Sequence, residues 1–146
     1  MKMFVRRAAL AMSLLAMTPQ GHAQAQQETT ISDEDIRVLD FESLKYPVLA
    51  HQTNYQGVVV VLVKLDTDGR VAEATAISGH KLLIPDCLAN ARKWRFYPNA
   101  KHAAVIVYNF RIPSALFARC KSAGSFFTLE APNFATITDC AITVQP

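Results

Sequence analysis

The sequence predicts an α+β domain, and three stretches carry that expectation: a nearly unbroken β-branched run over residues 58–66, an Asp-Gly turn behind it, and apolar residues at helical spacing over 84–94. With 146 residues, of which 51% are hydrophobic and 18% charged, the chain has enough apolar material for one core and lies outside the composition of disordered chains.

At the N-terminus, Lys2, Arg6 and Arg7 precede an apolar run over 8–17, and small residues follow at Ala23 and Ala25. That order is the order of a secretory signal peptide, so residues 1–25 are expected to be a leader cleaved after Ala25, with Ala23 as the neighbouring choice. An uncleaved inner-membrane anchor is the alternative, although the ten apolar residues over 8–17 reach only about half of the roughly 30 Å hydrocarbon core. Loss of the leader takes three of fifteen basic residues and none of the twelve acidic ones, which leaves the mature chain formally neutral. No basic stripe interleaved with aromatics remains, so nucleic acid is not expected as a partner.

Residues 26–44 carry Glu28, Asp33, Glu34, Asp35, Asp40 and Glu42 against Arg37 and read as an acidic, loosely held lead-in. A helical turn capped by Ser32 is the alternative there. The domain itself is expected over 45–113. Pro47 suits the first turn of a short helix that Gly57 brings to an end. The run over 58–66 is too short for a stable isolated helix and reads as a strand buried on both faces. Asp66-Thr67-Asp68-Gly69 supplies a turn, and the alternation over 71–77 closes a β-hairpin with Ala72, Ala74 and Ala76 on one side. Pro85 opens a second helix whose Ile84, Cys87, Leu88, Ala91 and Trp94 share a face, while Asn90, Arg92 and Lys93 are expected in water. Pro98 prevents continuation, and the alternation of Ala104, Ile106, Tyr108, Phe110 and Ile112 marks a third strand over 103–112. The small alanine face leaves room for the Trp94 helix.

Residues 114–146 form a cysteine-containing C-terminal extension, read as a small hairpin with turns at Ser122-Ala123-Gly124 and Pro132-Asn133. An exported chain with three cysteines most simply holds one disulfide and one thiol. Cys120 and Cys140 flank the hairpin, and a bridge between them would close a loop of about 20 residues and contribute about 3 kcal/mol in the chain-entropy picture. Cys87, on a helix face with Trp94, is expected to stay reduced in the core.

No catalytic constellation emerges. Ser78 beside Gly79-His80, and Cys87 with His80 or His102, are the nearest nucleophile and base candidates, and no G-x-S-x-G elbow is present. The sequence holds no C-x-x-C or H-x-x-x-H spacing either, so neither a metal nor another cofactor is expected. His51, His80 and His102 read as surface residues, Trp94 as a core anchor, and Asp66 and Asp68 as turn formers. The chain is not expected to be an enzyme or to take a small-molecule substrate.

A series of short motifs remains: Tyr46-Pro47 with Ala50 three residues on, Gly57 before the valine-rich strand, Asp68-Gly69-Arg70-Val71, Leu88, and Arg92-Lys93-Trp94-Arg95-Phe96 followed by Pro98. In this order and spacing they resemble the TonB C-terminal domain, the periplasmic module that links the proton-driven inner-membrane complex to outer-membrane receptors. The resemblance covers residues 46–112. It implies a periplasmic location and a three-stranded antiparallel sheet with two helices on one face, to which the cysteine hairpin would be appended. It also implies a protein partner, namely an extended segment of an outer-membrane receptor or another envelope protein that pairs with the sheet edge through its backbone. Carried onto this sequence, the partner-binding positions are Tyr46, Pro47 and, on the last strand, Val105, Val107, Asn109 and Arg111. Lys45 stands where some members have Gln. A full transducer adds a membrane helix and a long Pro-rich spacer, whereas here a short leader and an acidic segment over 26–44 precede the domain. The expected role is therefore a binding module accessory to TonB-dependent transport. The alternative is an envelope or inhibitor-like protein that reuses the fold, with the cysteine hairpin as its working surface.

Overall fold

The computed structural model describes residues 36–113 and 123–140; the expected leader, Cys120 and residues 141–146 lie outside them. In chain order the elements are β1 (Val38–Asp40), α1 (Val48–Gln52), β2 (Gly57–Leu65), β3 (Val71–Ser78), α2 (Ile84–Ala91), β4 (Arg95–Phe96), β5 (Ala103–Arg111), β6 (Gly124–Ala131) and β7 (Phe134–Cys140). The fold is α+β, and the helix, hairpin, helix, strand order over 48–111 is the one the patterning predicts.

β2 forms because eight consecutive residues after Gly57 favour the pleated conformation, and its side chains divide by parity. Val59, Val61, Val63 and Leu65 are buried beneath the helices. Val58 and Lys64 on the opposite face are exposed and Val60 and Leu62 are half-buried, so the strand is not buried on both faces as its composition predicts. α2 lies against β2 and β3, where alanines give it room, with Ala74 in the core. Asp66 organises the β2–β3 turn: its Oδ1 accepts the N–H groups of Asp68 at 2.9 Å and Arg70 at 2.8 Å. Gly69 has a positive φ of 77°, and a Cβ there would run into the Phe96 carbonyl. The chain crosses itself at this point, because the Phe96 N–H donates to the Gly69 carbonyl at 2.8 Å.

Three further expectations need correction. The sheet is five-stranded and mixed, in the order β3-β2-β5-β7-β6, instead of three-stranded and antiparallel. β7 joins β5 in parallel and β6 returns antiparallel to β7, so the C-terminal hairpin extends the main sheet and its core. Ala135 and Ile137 are both 0% exposed, and they continue the layer that Tyr108 and Phe110 begin. Without them two large aromatic side chains would border water.

The second correction concerns the acidic lead-in, because its 36–44 portion is part of the fold. Ile36 is buried, Val38 pairs with Phe96 in the two-stranded β1–β4 sheet, and the Tyr97 N–H donates to the Arg37 carbonyl at 2.8 Å. Phe41 then meets the rings of Trp94 and Phe127, each at 5.6 Å between centroids. Ile36, Val38, Phe41 and Leu44, interspersed among the acids, dock this segment.

The third is Asn90, which is not in water but 4% exposed and fully used. Its Oδ1 accepts from Trp94 Nε1 at 2.8 Å and from the Tyr108 hydroxyl at 2.9 Å, while its Nδ2 donates to the Glu42 carbonyl at 2.9 Å. One amide thereby ties α2, β5 and the lead-in together. Cys87 on the neighbouring turn is a free, buried thiol as the helix pattern predicts.

Candidate functional site

The partner-binding positions read from the sequence lie in two places, the Tyr46-Pro47 corner and the side of β5 away from β2. Tyr46 ends the lead-in as a buried residue. Its ring stands edge-on to Phe110 at 5.3 Å, and its hydroxyl donates to the Tyr55 carbonyl at 2.6 Å. Burial, and after it the negative charge of Asp139, pushes the Tyr46 phenol up to about 12. Pro47 caps α1, and the His51 N–H closes that turn on the Pro47 carbonyl at 2.9 Å. The corner therefore sits beside the far end of β5, as the resemblance implies.

On β5, Val105, Val107 and Asn109 are half-buried on the helix-free face of the sheet, and Arg111 is exposed. From Val107 onward their side of the strand is not an open edge. Five residues from Val107 to Arg111 are registered against five from Phe134 to Thr138, and the Val107 N–H donates to the Asn133 carbonyl at 2.8 Å. Along Val107–Arg111 the C-terminal extension covers this edge. An N–H that aims away from β2 must find an acceptor, and the Asn133 carbonyl just ahead of β7 supplies it for Val107.

The hairpin also reaches the Tyr46 corner. The Tyr46 N–H donates to Ser125 Oγ at 2.8 Å, and His51 Nδ1 pairs with the Asp139 carboxylate. On the helix-free face Asn109 Nδ2 meets Thr136 Oγ1 at 3.5 Å. Ser125, Thr136 and Asp139, with His51 opposite, adjoin the candidate positions and are not singled out by the sequence reading. The Pro132-Asn133 turn announces the strand that carries Thr136 and Asp139, but it does not say which strand lies alongside.

The discounted chemistry has a physical account as well. Burial, and then the nearby Asp86 carboxylate, pushes the Cys87 thiol well above its ordinary range, which keeps it protonated. His80 stacks on Tyr55 at 3.9 Å between centroids, with its Nδ1 accepting from the Leu82 N–H at 3.3 Å. Among the described residues no group of three or more His, Cys, Asp or Glu is placed to hold a metal ion, and no helix is long and apolar enough to cross a membrane.

No curated protein and no solved structure matches the chain. A family match does exist: residues 42–113 fit the family described as the Gram-negative bacterial TonB protein C-terminal. The matched stretch runs from just before the Tyr46 corner to just past β5, and it leaves β1 and the β6–β7 hairpin outside. By that match, and with the helix, hairpin, helix, strand order it encloses, residues 42–113 belong to the TonB C-terminal family of protein-interaction domains.

Proposed function

We propose that the mature protein is a periplasmic TonB-like binding module that takes an extended segment of an outer-membrane receptor or another envelope protein by strand pairing at β5, beside Tyr46 and Pro47, as an accessory to TonB-dependent transport. The observation that carries this reading is the β5–β7 ladder. The side of β5 with Val107, Asn109 and Arg111 accommodates an added strand in parallel register, and the Val107 amide donates to the carbonyl just ahead of it. The signal-peptide order of the leader and a Cys120–Cys140 bridge belong to the same proposal. The bridge is supported by Cys87 being the free thiol, while Cys140 is not among the free ones.

Site-specific photo-cross-linking in intact cells tests the reading. A photoreactive residue at Asn109 should give an adduct with an envelope protein, and one at Glu73 on the far strand β3 should not. Adducts from Glu73 with none from Asn109 would defeat pairing at β5. A second reading, in which the cysteine hairpin is itself the working surface, has its own observation: among the described residues nothing pairs with the outer side of β6, and Phe126 on that strand is 43% exposed. Adducts obtained only from Thr128 would favour it.

A further inference from the structure

We infer that β7 occupies the place of the ligand, so that the β5 edge selects a segment running parallel to it with a small residue level with Tyr108 and a branched aliphatic residue two positions later, and that such a segment binds by exchanging with the chain's own hairpin. This rests on the reading of β5 as the partner-accepting strand.

The side chains of β7 define the selection. Ala135 lies in register between Tyr108 on β5 and Leu129 on β6, and Ile137 lies between Phe110 and Phe127. Both are fully buried. The two aromatic residues of β5 cannot move aside, because the Tyr108 hydroxyl is held by Asn90 and the Phe110 ring by the edge of Tyr46. The first position, level with the held Tyr108 ring, is therefore narrow, and the second, level with Phe110, accepts a branched chain. Thr136 and Thr138 fall on the opposite face beside Asn109 and Arg111, where polar or β-branched residues are suited. Parallel pairing adds polarity, since a segment that entered antiparallel would not reproduce this ladder.

Exchange is physically reasonable because of what an incoming strand regains. The backbone ladder and both side-chain positions lost in cis are restored in trans. What the incoming strand does not restore is the set of contacts peculiar to the hairpin: Leu129 and Phe127 on the β6 side of the two positions, Ser125 Oγ on the Tyr46 N–H, Asp139 on His51, and Phe127 on Phe41 and Trp94. These act as a latch, and weakening them should favour the incoming segment without altering β5.

The test uses the full mature chain and a fluorescent peptide with the sequence of residues 133–138, which stops short of Asp139 and so cannot pair with His51, read by anisotropy, with hydrogen exchange on the same samples. A His51→Ala/Ser125→Ala variant should bind the peptide at least tenfold more tightly than the wild type. The same peptide carrying Ile137→Lys should not bind, and on binding of the first peptide the chain's own β7 amides should lose protection while β2 and β3 keep theirs. Thermal denaturation establishes that the variant is folded, and the single His51→Ala variant serves if the double one is not. Equal binding to wild type and variant with β7 still protected, or no binding to the folded variant, overturns the exchange. Neither result touches the cross-linking of envelope proteins at Asn109. Conversely, the expected peptide result without any envelope adduct would leave the exchange standing and remove the proposed partner.

Discussion

Asn90 concentrates more of the buried polar chemistry than any other described side chain, since two donors and one carbonyl depend on its single amide. Asn90→Ala would leave Trp94 Nε1, the Tyr108 hydroxyl and the Glu42 carbonyl without their partner, and a loss of about 2–4 kcal/mol in urea denaturation is expected. Tyr46 makes a prediction with a direction in pH. Its phenol is raised in the folded state above the ordinary value of 10, so the stability it contributes is complete below pH 10 and is lost as pH climbs toward 12. Wild type should accordingly exceed Tyr46→Phe at neutral pH through the bond to the Tyr55 carbonyl, and that lead should fall at up to about 1.4 kcal/mol per pH unit between pH 10 and 12. Of these two residues the sequence marks Tyr46 through the Tyr-Pro motif, whereas Asn90 is hidden. Helical periodicity sorts residues by hydrophobicity, and a polar residue one turn before Trp94 looks like a residue facing water until its hydrogen-bond partners are known.

Among the elements, the β2–β3 hairpin is the most legible, because its turn is specified by chemistry inside six residues. Gly69→Ala should be severe there, since the added Cβ meets the Phe96 backbone, which is held in place by its own hydrogen bond to residue 69. A fall of at least about 3 kcal/mol, or loss of folded protein, is expected by thermal denaturation. The junction of β5 with β7 is the least legible. Alternation identifies β5, and the Pro132-Asn133 turn pairs β6 with β7, but nothing local announces that a strand beginning at Phe134 lies parallel to one ending at Arg111. Val107→Pro deletes the N–H that donates to the Asn133 carbonyl and should cost about 3 kcal/mol or more, against about 1 kcal/mol for Val107→Ala at this half-buried position. Hydrogen exchange should show β6 and β7 losing protection before β2 in the proline variant.

For the molecule as a whole, the family resemblance locates the 42–113 portion, and both flanks turn out to be needed by it. Phe41 and Phe127 come from opposite sides of that portion, and they stack on each other and approach Trp94 from the same side. A chain ended at Pro113 would uncover Tyr108, Phe110 and Trp94 together, so it should aggregate on size-exclusion chromatography and lose the sharp thermal transition of the full chain. Composition concealed both flanks for a common reason: their docking residues are few, and acidic or threonine-rich neighbours dilute them below what a hydrophobic pattern can register.

The hydrogen bond between the Tyr46 amide and Ser125, which joins residues 79 positions apart, also sets an order of events during synthesis. A chain that emerges N-terminus first presents β5 before residues 133–140 are available to it, and for that interval the amide of Val107 has no acceptor and the Tyr108 and Phe110 rings have no cover. The chain is therefore at its stickiest before Phe134–Cys140 joins β5. Any factor that shields a bare strand from neighbours would act in that interval.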